Sequence, residues 1–344
     1  MQYARFGDTG LVVSRFGFGA MTFGKGEMIA GVQNRIGQEE ADRMIGLCLD
    51  AGINLFDTAD AYRGGETEQI LGRALGVRRQ DVVISTKVGF RVSDSLIDAG
   101  LSYRHIVHSA EESLSRLGTD WIDLYQLHIP DVYTTLAETA RALEDLVRQG
   151  KVRYVGFSNF PAWKAARLLA IQERHGWMPI KAAQLYYSLL GRDLEHELVP
   201  FCQDAGIGIL AWSPLASGFL TGKYTRQNPV PEGTRRSTFS FPPIDIEKGY
   251  EVVAALQEIA NAHGCKPSQV TLAWTLSRPF LANILIGASR PEQLEENLKA
   301  AELRLAPEEI EKLDALTRPA PLYPGYMVGA MSADARLKGL LEGE

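Results

Sequence analysis

Residues 104–128, RHIVHSAEESLSRLGTDWIDLYQLH, contain one structural unit of this chain in full. Arg104–Leu117 has the spacing of an amphipathic helix, and Gly118 follows it as a residue suited to a left-handed helix end. Ile122–His128 is a short, largely apolar run of the kind found in buried strands. A helix that ends at a glycine and leads at once into such a strand is typical of a parallel sheet covered by helices.

The same alternation continues through most of the chain, and helical spacing also marks Glu39–Ala51, Leu136–Gln149, Ala162–His175 and Leu194–Ala205. Eight apolar runs favour a closed α/β fold, the (β/α)8 TIM barrel, over an open doubly wound sheet. An open sheet that binds a dinucleotide would need a G-x-G-x-x-G turn before a helix, whereas residues 17–24 read GFGAMTFG. The eight runs are Arg15–Gly19, Ile53–Asp57, Val82–Lys87, Ile122–His128, Tyr154–Phe157, Ala182–Leu185, Gly208–Ala211 and Ile284–Gly287.

Several segments lie outside this repeating pattern. Tyr3–Ser14 places a Gly-Asp-Thr-Gly turn between two short β-like runs, which predicts an N-terminal β-hairpin. Glu247–His263 and Pro307–Thr317 predict two additional helices, while Ser213–Ile246 lacks periodicity and is expected to be a functional loop. We therefore predict a single barrel domain over residues 1–317 and a weakly patterned C-terminal tail over residues 318–344.

The composition of the 344 residues narrows the class of function. A net charge of −6 without a basic stripe argues against nucleic-acid binding. The three cysteines form no C-x-x-C pair, which is ordinary for a reducing compartment. The first residues do not resemble a signal peptide, and no apolar run approaches the ~18 residues of a membrane span. We expect a cytoplasmic protein that does not associate with membranes, and the sequence leaves open whether it forms a homo-oligomer.

Four chemically active side chains follow neighbouring strands of the predicted barrel. Asp57, Lys87 and His128 end three successive strands, and Tyr62 follows Asp57 closely. A free phenol, with a pKa of about 10, gives up its proton poorly near neutral pH. A neighbouring ammonium favours the phenolate, a carboxylate keeps the ammonium charged, and an imidazole can orient a carbonyl oxygen. The set is suited to proton delivery to a carbonyl oxygen while a hydride reaches carbon.

Each of these residues could also have an ordinary structural role. Asp57 alone could cap a helix, Tyr62 could line a loop, Lys87 could reach the surface, and His128 could be a hydrogen-bonded core histidine. Two other chemistries are open to the same groups. Lys87 could form a Schiff base, although an adjacent carboxylate that keeps it charged opposes this. Asp57 and His128 could bind a metal, but the sequence offers too few further ligands nearby, so we predict no metal site.

The segment after the last strand suggests a phosphate site. Gly287-Ala288-Ser289-Arg290 precedes the helical run Pro291–Ala301, and a helix N-terminus with Ser and Arg can bind an anion. A Ser-capped helix with no ligand would show the same residues. Trp212 or the pair Tyr186-Tyr187 could stack on a flat ring or simply pack in the core.

The motifs that carry these residues resemble those of the aldo-keto reductase family over roughly Tyr3–Thr317. The pattern is closest to a bacterial branch that is similar to the potassium-channel β-subunit type reductases. The resemblance implies a (β/α)8 barrel with a catalytic tetrad of Asp57, Tyr62, Lys87 and His128. The matching motifs are GINLFDTADAYRGGETEQILGRAL (52–75), DVVISTKVGF (81–90), LGTDWIDLYQLHIPD (117–131), VRYVGFSNFP (152–161), AWSPLASGFLTGKY (211–224) and IGASRPEQLEENL (286–298).

The resemblance further implies an NADP(H)-dependent oxidoreductase that reduces an aldehyde or ketone to an alcohol, reversibly, with Tyr62 as general acid. Arg290 beside Ser289 suggests a 2′-phosphate, hence NADPH (NADP+) in preference to NADH. The cofactor-binding residues that it implies are Ala20, Met21, Asp57, Ser158, Asn159, Gln184, Trp212, Ser213, Pro214, Leu215, Ser217, Lys223, Arg235, Gly287, Ser289, Arg290, Gln293, Glu296 and Asn297.

One alternative function is an NADPH-binding, redox-sensing regulatory subunit with slow turnover. The channel subunits carry a different residue at the tetrad histidine, whereas His128 is present here, and this favours the enzyme. The small-molecule carbonyl substrate and the preferred direction of reaction stay open at this point. Aromatic residues in the candidate specificity loops suggest an apolar pocket, although each of them alone could be ordinary packing. They are Phe23, Phe90, Tyr133, Phe239 and Phe241.

Overall fold

A computed structural model of the chain describes residues 1–29, 32–231, 236 and 239–331. Within these, only the backbone is described for residues 28–29, 32–35 and 329–331. In the described ranges, no helix is both long and apolar enough to cross a membrane.

Eight parallel strands of the described residues close into a barrel, in which the last strand along the chain pairs with the first. The fold is therefore the (β/α)8 TIM barrel that the sequence predicts. Its strands, in order around the barrel, are β3 (Phe16–Gly19), β6 (Leu55–Asp57), β7 (Val83–Val88), β8 (Ile122–Leu127), β9 (Val152–Ser158), β10 (Ala182–Tyr186), β11 (Gly208–Trp212) and β12 (Leu281–Ile286).

Helices surround this barrel, and the sequence predicts most of them to within a few residues. It does not predict the helices Glu66–Leu75 and Pro267–Leu276, although Pro267 is a common residue in a first helical turn. The described helices are α1 (Gln38–Asp50), α2 (Glu66–Leu75), α3 (Tyr103–Leu117), α4 (Leu136–Arg148), α5 (Ala162–His175), α6 (Leu198–Asp204), α7 (Ile246–Ala262), α8 (Pro267–Leu276), α9 (Pro291–Leu298), α10 (Pro307–Thr317) and α11 (Gly325–Met331).

The two expected additional helices are present, as α7 between barrel strands seven and eight and as α10 after the last barrel helix. The C-terminal tail also contains a short helix, α11, which its weak pattern does not predict. Helix starts follow local chemistry: the hydroxyl of Ser102 accepts a hydrogen bond from the amide of His105 at 3.3 Å, and Asp245 caps α7 in the same way.

Two small antiparallel hairpins accompany the barrel. The N-terminal pair, β1 (Tyr3–Arg5) and β2 (Val12–Ser14), confirms the predicted hairpin. Gly7 in its turn lies so close to Gly206 that any Cβ would fall 2.3 Å from the Gly206 carbonyl oxygen. The second hairpin, β4 (Gly24–Ile29) and β5 (Val32–Ile36), replaces an expected loop, because its polar strands lack the apolar alternation that marks a strand.

Two predicted boundaries are wrong for physical reasons. The last barrel strand starts at Leu281 rather than Ile284, because the polar Asn283 interrupts the apolar run yet is fully buried and donates to the Ser14 carbonyl at 2.7 Å. The expected helix Leu194–Ala205 starts at Leu198, where Pro200 falls in the first turn, a position that tolerates a missing amide proton.

Alternate residues of each strand face the barrel interior, where an apolar layer fills the amino-terminal half. Phe6 from the N-terminal hairpin packs in this layer, which therefore closes that end of the barrel. The other buried residues of the layer are Val13 from the hairpin and, from the barrel strands, Leu55, Val83, Leu124, Ala182, Leu210, Ala282 and Leu285. The interior positions nearer the carboxyl ends of the strands are left for polar side chains.

Two helical glycines should respond oppositely to alanine. At Gly72 in α2 a Cβ would lie 2.4 Å from the Leu117 carbonyl oxygen of α3, so Gly72→Ala should destabilise the fold by about 2 kcal/mol through forced separation of the helices. At Gly46 in α1 a Cβ meets no atom within 4 Å, so Gly46→Ala should stabilise the fold by about 0.5–1 kcal/mol. Urea unfolding of both variants measures the two effects, and equal changes would contradict the packing of α2 on α3.

Candidate active site

The carboxyl ends of β6, β7 and β8 bring together the candidate catalytic residues. Beyond the end of β6, the amide of Thr58 donates to the Ser85 carbonyl at 2.8 Å and the amide of Asp60 donates to the Lys87 carbonyl at 3.1 Å. These bonds hold the chain against β7 for three more residues. The following turn, in which the Tyr62 amide donates to the Ala59 carbonyl at 3.2 Å, then directs Tyr62 towards the barrel end.

Lys87 and Asp57 form a buried ion pair at the centre of the site. The ammonium is 0% exposed and donates at 2.6 Å both to Oδ1 of Asp57 and to the carbonyl oxygen of Thr58. Burial opposes the charge on Lys87, but attraction to Asp57 and Tyr62 and hydrogen bonds with both outweigh burial, so the pKa of Lys87 is raised. The amine is therefore a permanent cation here.

Tyr62 lies beside both this ion pair and the ring of His128. The Lys87 ammonium is 5.2 Å from the centre of the Tyr62 ring, and the Tyr62 and His128 rings meet edge to face at 5.8 Å. Phe90 packs edge to face on His128 at 4.5 Å. Burial, assisted by the charge of Lys87, lowers the pKa of His128 well below its usual range, so the imidazole is neutral. Its buried Nδ1 has no hydrogen-bond partner in the described residues.

The second carboxylate oxygen of Asp57 accepts two further hydrogen bonds. Ser85 donates to it at 2.8 Å and the Gln184 amide donates at 2.7 Å, while Gln126 donates to Ser85 at 2.8 Å. Sequence reasoning missed Ser85 and Gln126. The two-residue period of a strand could have predicted both residues. Ser85 precedes Lys87 by two residues, and Gln126 precedes His128 by two. Each pair therefore shares the interior face of its strand.

A second group of predicted site residues meets beside His128. The Asn159 amide donates to the His128 carbonyl at 3.0 Å and to the Ser158 hydroxyl at 2.9 Å, and the Trp212 indole donates to Asn159 at 3.2 Å. Asn159 has a φ of 60°, a left-handed conformation that asparagine tolerates better than most residues. The Trp212 ring is stacked on Phe241 with an interplanar angle of 12°.

The turn after β11 holds an unusual backbone. Ser213, Ala216 and Ser217 have φ values of 54°, 49° and 54°, and non-glycine residues rarely adopt this region without a functional reason. The Ser217 amide donates to the Ser213 hydroxyl at 3.0 Å and the Ser217 hydroxyl donates to the Phe241 carbonyl at 2.6 Å. The predicted residues Pro214 and Leu215 lie within this turn.

Other predicted cofactor residues lie farther along this loop and at its end. Lys223 is exposed on the surface beyond the turn. Arg235 lies outside the described residues.

The remaining predicted residues surround the N-terminus of α9. Ser289 donates to the side-chain oxygen of Gln293 from its amide at 3.0 Å and from its hydroxyl at 2.9 Å. Arg290 is exposed at the first position before the helix, Glu296 is paired with Lys266, and Asn297 is buried.

The first and last loops of the barrel are joined near this helix. Thr22 donates to the Ala288 carbonyl at 2.9 Å, which holds the short turn Ala20–Thr22 beside the Gly287 segment. Ala20 and Met21 therefore belong to the same end of the barrel as Ser289.

The donor set of this end fits a phosphate-bearing dinucleotide. Asn159 is bonded to the Ser158 hydroxyl and to the Trp212 indole, and Gln184 is bonded to Asp57. The N-terminus of α9 with Arg290 offers an anion site. In the part of the chain that the structure describes, no group of three His, Cys, Asp or Glu residues is arranged to hold a metal.

Most of the chain matches a known protein family. Residues 15–318 match the model of the aldo/keto reductase family. The chain belongs to the aldo-keto reductase family. Its members generally use NAD(P)H.

Curated relatives cover nearly the whole chain. A versiconal hemiacetal acetate reductase of Aspergillus parasiticus is 34% identical, over 94% of this chain and 99% of the relative. A putative aryl-alcohol dehydrogenase of Schizosaccharomyces pombe is 33% identical, over 93% and 97%. A putative voltage-gated potassium channel subunit beta of the same yeast is 36% identical, over 93% and 94%. The chain is thus similar both to oxidoreductases and to a channel subunit.

The aromatic residues expected to line an apolar pocket do not all lie together. Phe90 contacts His128 and Phe241 contacts Trp212, so both border the site, and Phe239 packs against Phe241. Phe23 instead is 0% exposed and packs against Phe18 in the core, and Tyr133 is 96% exposed. Two of the five residues were therefore assigned wrongly, because burial of a loop aromatic cannot be read from its position in sequence.

Breaking the ion pair between Lys87 and Asp57 should lower the stability of the folded protein. Lys87→Met leaves the Asp57 carboxylate buried without its cation and should destabilise the fold by about 3–5 kcal/mol. Adding Asp57→Asn removes the unpaired charge, so the double variant should be more stable than Lys87→Met alone. Denaturant unfolding at neutral pH compares the two proteins, and a double variant no more stable than the single one would show that the pair is not coupled.

Proposed function

We propose that this protein is an NADPH-dependent oxidoreductase that reduces an aldehyde or ketone to an alcohol, reversibly, with Tyr62 as general acid. The observation that carries the proposal is the fully buried Lys87, which is paired with Asp57 and lies beside the Tyr62 ring. A desolvated cation next to a phenol stabilises the phenolate that forms when the phenol gives up its proton.

The roles of the other residues follow from their surroundings. A neutral His128 keeps one ring N–H, which can donate to a substrate carbonyl oxygen and hold it towards Tyr62 without adding a second cation next to Lys87. Asp57, held by Ser85 and Gln184, keeps Lys87 in place. The nicotinamide, when bound, supplies the hydride, and Tyr62 delivers the proton to oxygen.

Cofactor preference is proposed from the N-terminus of α9. Ser158, Asn159 and Gln184 would hold the nicotinamide end, and Ser289 with Arg290 would hold the adenosine end. Because Arg290 is exposed at the start of the helix, it is available to pair with a 2′-phosphate, which favours NADPH over NADH.

The substrate class is proposed from the aromatic residues at the site and from the relatives. Phe90 beside His128 and Phe241 on Trp212 provide apolar walls, which suit an aromatic or other apolar carbonyl compound. The name of one relative, a putative aryl-alcohol dehydrogenase, agrees with this preference.

Replacing Tyr62 should separate catalysis from cofactor binding. Tyr62→Phe should lower kcat for reduction of a nitrobenzaldehyde by about 10²–10⁴-fold, because the general acid is lost while the ring remains. NADPH oxidation followed by absorbance measures the rate, and NADPH titration should give an unchanged Kd. Tyr133→Phe is the matched control, since Tyr133 is 96% exposed and its loss should leave kcat unchanged.

The outcome also distinguishes the regulatory alternative. If Tyr62→Phe kept most of the rate, Tyr62 would not be the general acid. Tight NADPH binding with negligible turnover across sugars, steroids, aromatic aldehydes and small ketones would instead favour a regulatory subunit, in line with the relative named as a channel subunit.

Arg290 should discriminate between the two nicotinamide cofactors. Arg290→Ala should raise the KM for NADPH by about 10-fold or more, because a charge-assisted hydrogen bond to phosphate contributes about 1.5–3 kcal/mol. The KM for NADH, which has no 2′-phosphate, should stay nearly constant and is the internal control. Equal changes for both cofactors would contradict the assignment of Arg290 to the 2′-phosphate.

A further inference from the structure

Asp60 is a buried acid next to the proposed catalytic residues that the reaction as described does not use. The residue is 2% exposed. Neither carboxyl oxygen has a partner that meets normal hydrogen-bond geometry in the described part of the chain, and the nearby amide of Ala61 lowers the pKa of Asp60 by less than burial raises it. Its own amide donates to the Lys87 carbonyl at 3.1 Å, so the residue is fixed directly behind the Lys87 backbone.

A second ion pair, between the buried Glu68 and the partly exposed Arg116, lies near Asp60. Glu68 on α2 is 0% exposed and accepts hydrogen bonds at 2.6 Å from both the Thr86 hydroxyl and the Arg116 guanidinium of α3. The negative charge of Glu68 repels an ionised Asp60. The charged and titratable groups that face Asp60 from the surrounding elements are Glu68, Arg116, Lys87 and Tyr125.

The charges in this region balance only when Asp60 is neutral. Asp57 compensates Lys87 and Glu68 compensates Arg116, so an ionised Asp60 would add an uncompensated negative charge in a buried place. Burial, and then repulsion from Glu68, raises the pKa of Asp60 to about 8, although Arg116 and Lys87 oppose the shift. The Tyr125 phenol, whose hydroxyl donates to the Ile106 carbonyl at 3.1 Å, keeps its proton because burial raises its pKa well above the usual range.

We propose that Asp60 is a positioning residue of the proposed carbonyl reduction that holds a proton in the working enzyme: its amide fixes Lys87, and its neutral carboxyl leaves Lys87 balanced by Asp57. This role rests on the proposed function. When Asp60 loses its proton, the new negative charge near Lys87 disfavours loss of the phenol proton from Tyr62. The protonation state of Asp60 therefore changes the pH dependence of the reaction, although Asp60 does not contact the substrate.

The proton on Asp60 can be observed without any activity measurement. Infrared spectra at about pH 6 should contain the C=O stretch of a buried protonated carboxyl, which disappears in Asp60→Asn and titrates away near pH 8 in the unsubstituted protein. Asp120→Asn, which removes an exposed acid, is the matched control and should keep the band. Absence of the band, or its survival in Asp60→Asn, overturns the proposal.

The same proton should appear in the pH dependence of unfolding. The folded protein binds one more proton than the unfolded chain between the ordinary pKa of aspartate and about 8, so its stability falls as pH rises through that window. Asp60→Asn cannot lose this proton, so its Tm should exceed that of the unsubstituted protein by a gap that widens from about pH 4 to about pH 8. A constant gap across that range overturns the proposal.

The positioning role is tested by the pH profile of reduction. At about pH 6 both proteins carry a neutral group at position 60, so kcat should agree within about twofold. In Asp60→Asn the alkaline limb, where the phenol proton is lost, should move to lower pH by about half a unit or more, because the extra negative charge never forms. Alkaline limbs that coincide overturn the positioning role. A chain that reduces no carbonyl overturns the proposed function and this role with it, whereas the infrared and unfolding measurements still decide whether Asp60 holds a proton.

Discussion

Burial of the Lys87 ammonium is the constraint on which the arrangement of this barrel end depends. A cation without solvent must be matched by a carboxylate and by hydrogen-bond acceptors on all sides. Asp57 and the Thr58 carbonyl supply them, both from the end of β6. The ladder bonds that extend β6 past Asp57 along β7 are therefore part of the site, since they bring this segment within reach of Lys87.

Because side chains two residues apart on a strand share one face, the barrel interior is divided into an apolar layer and a polar layer that surrounds Lys87. Leu55 and Val83 lie in the apolar layer, and two residues later in each strand Asp57 and Ser85 begin the polar layer. Gln126 joins this layer through Ser85. The apolar layer excludes water beneath the ion pair, and this strengthens every charge interaction above it.

The ends of the barrel strands are predictable from the sequence, because a continuous apolar run bounded by glycines and polar residues rarely forms anything but a buried strand. The strand ends in turn place Asp57, Lys87 and His128 at one end of the barrel. Features that depend on tertiary contact are not predictable in this way. The hairpin β4–β5 has polar strands that form through backbone pairing, Asn283 is a polar residue inside a buried strand, and Phe23 turns into the core. None of these is specified by composition or period alone.

The segment 57–60 shows why residue type does not fix chemical role at this site. Asp57 accepts hydrogen bonds from an ammonium, a hydroxyl and an amide, and it is the ion-pair partner of Lys87. Asp60, three residues later and just as buried, has no such donors and faces Glu68 instead, so the neutral form is favoured. Two identical side chains three residues apart thus serve a cation in opposite ways, one by carrying a negative charge and the other by keeping a proton. Since both residues are aspartates, their different roles come from the groups around them and not from the side chains themselves.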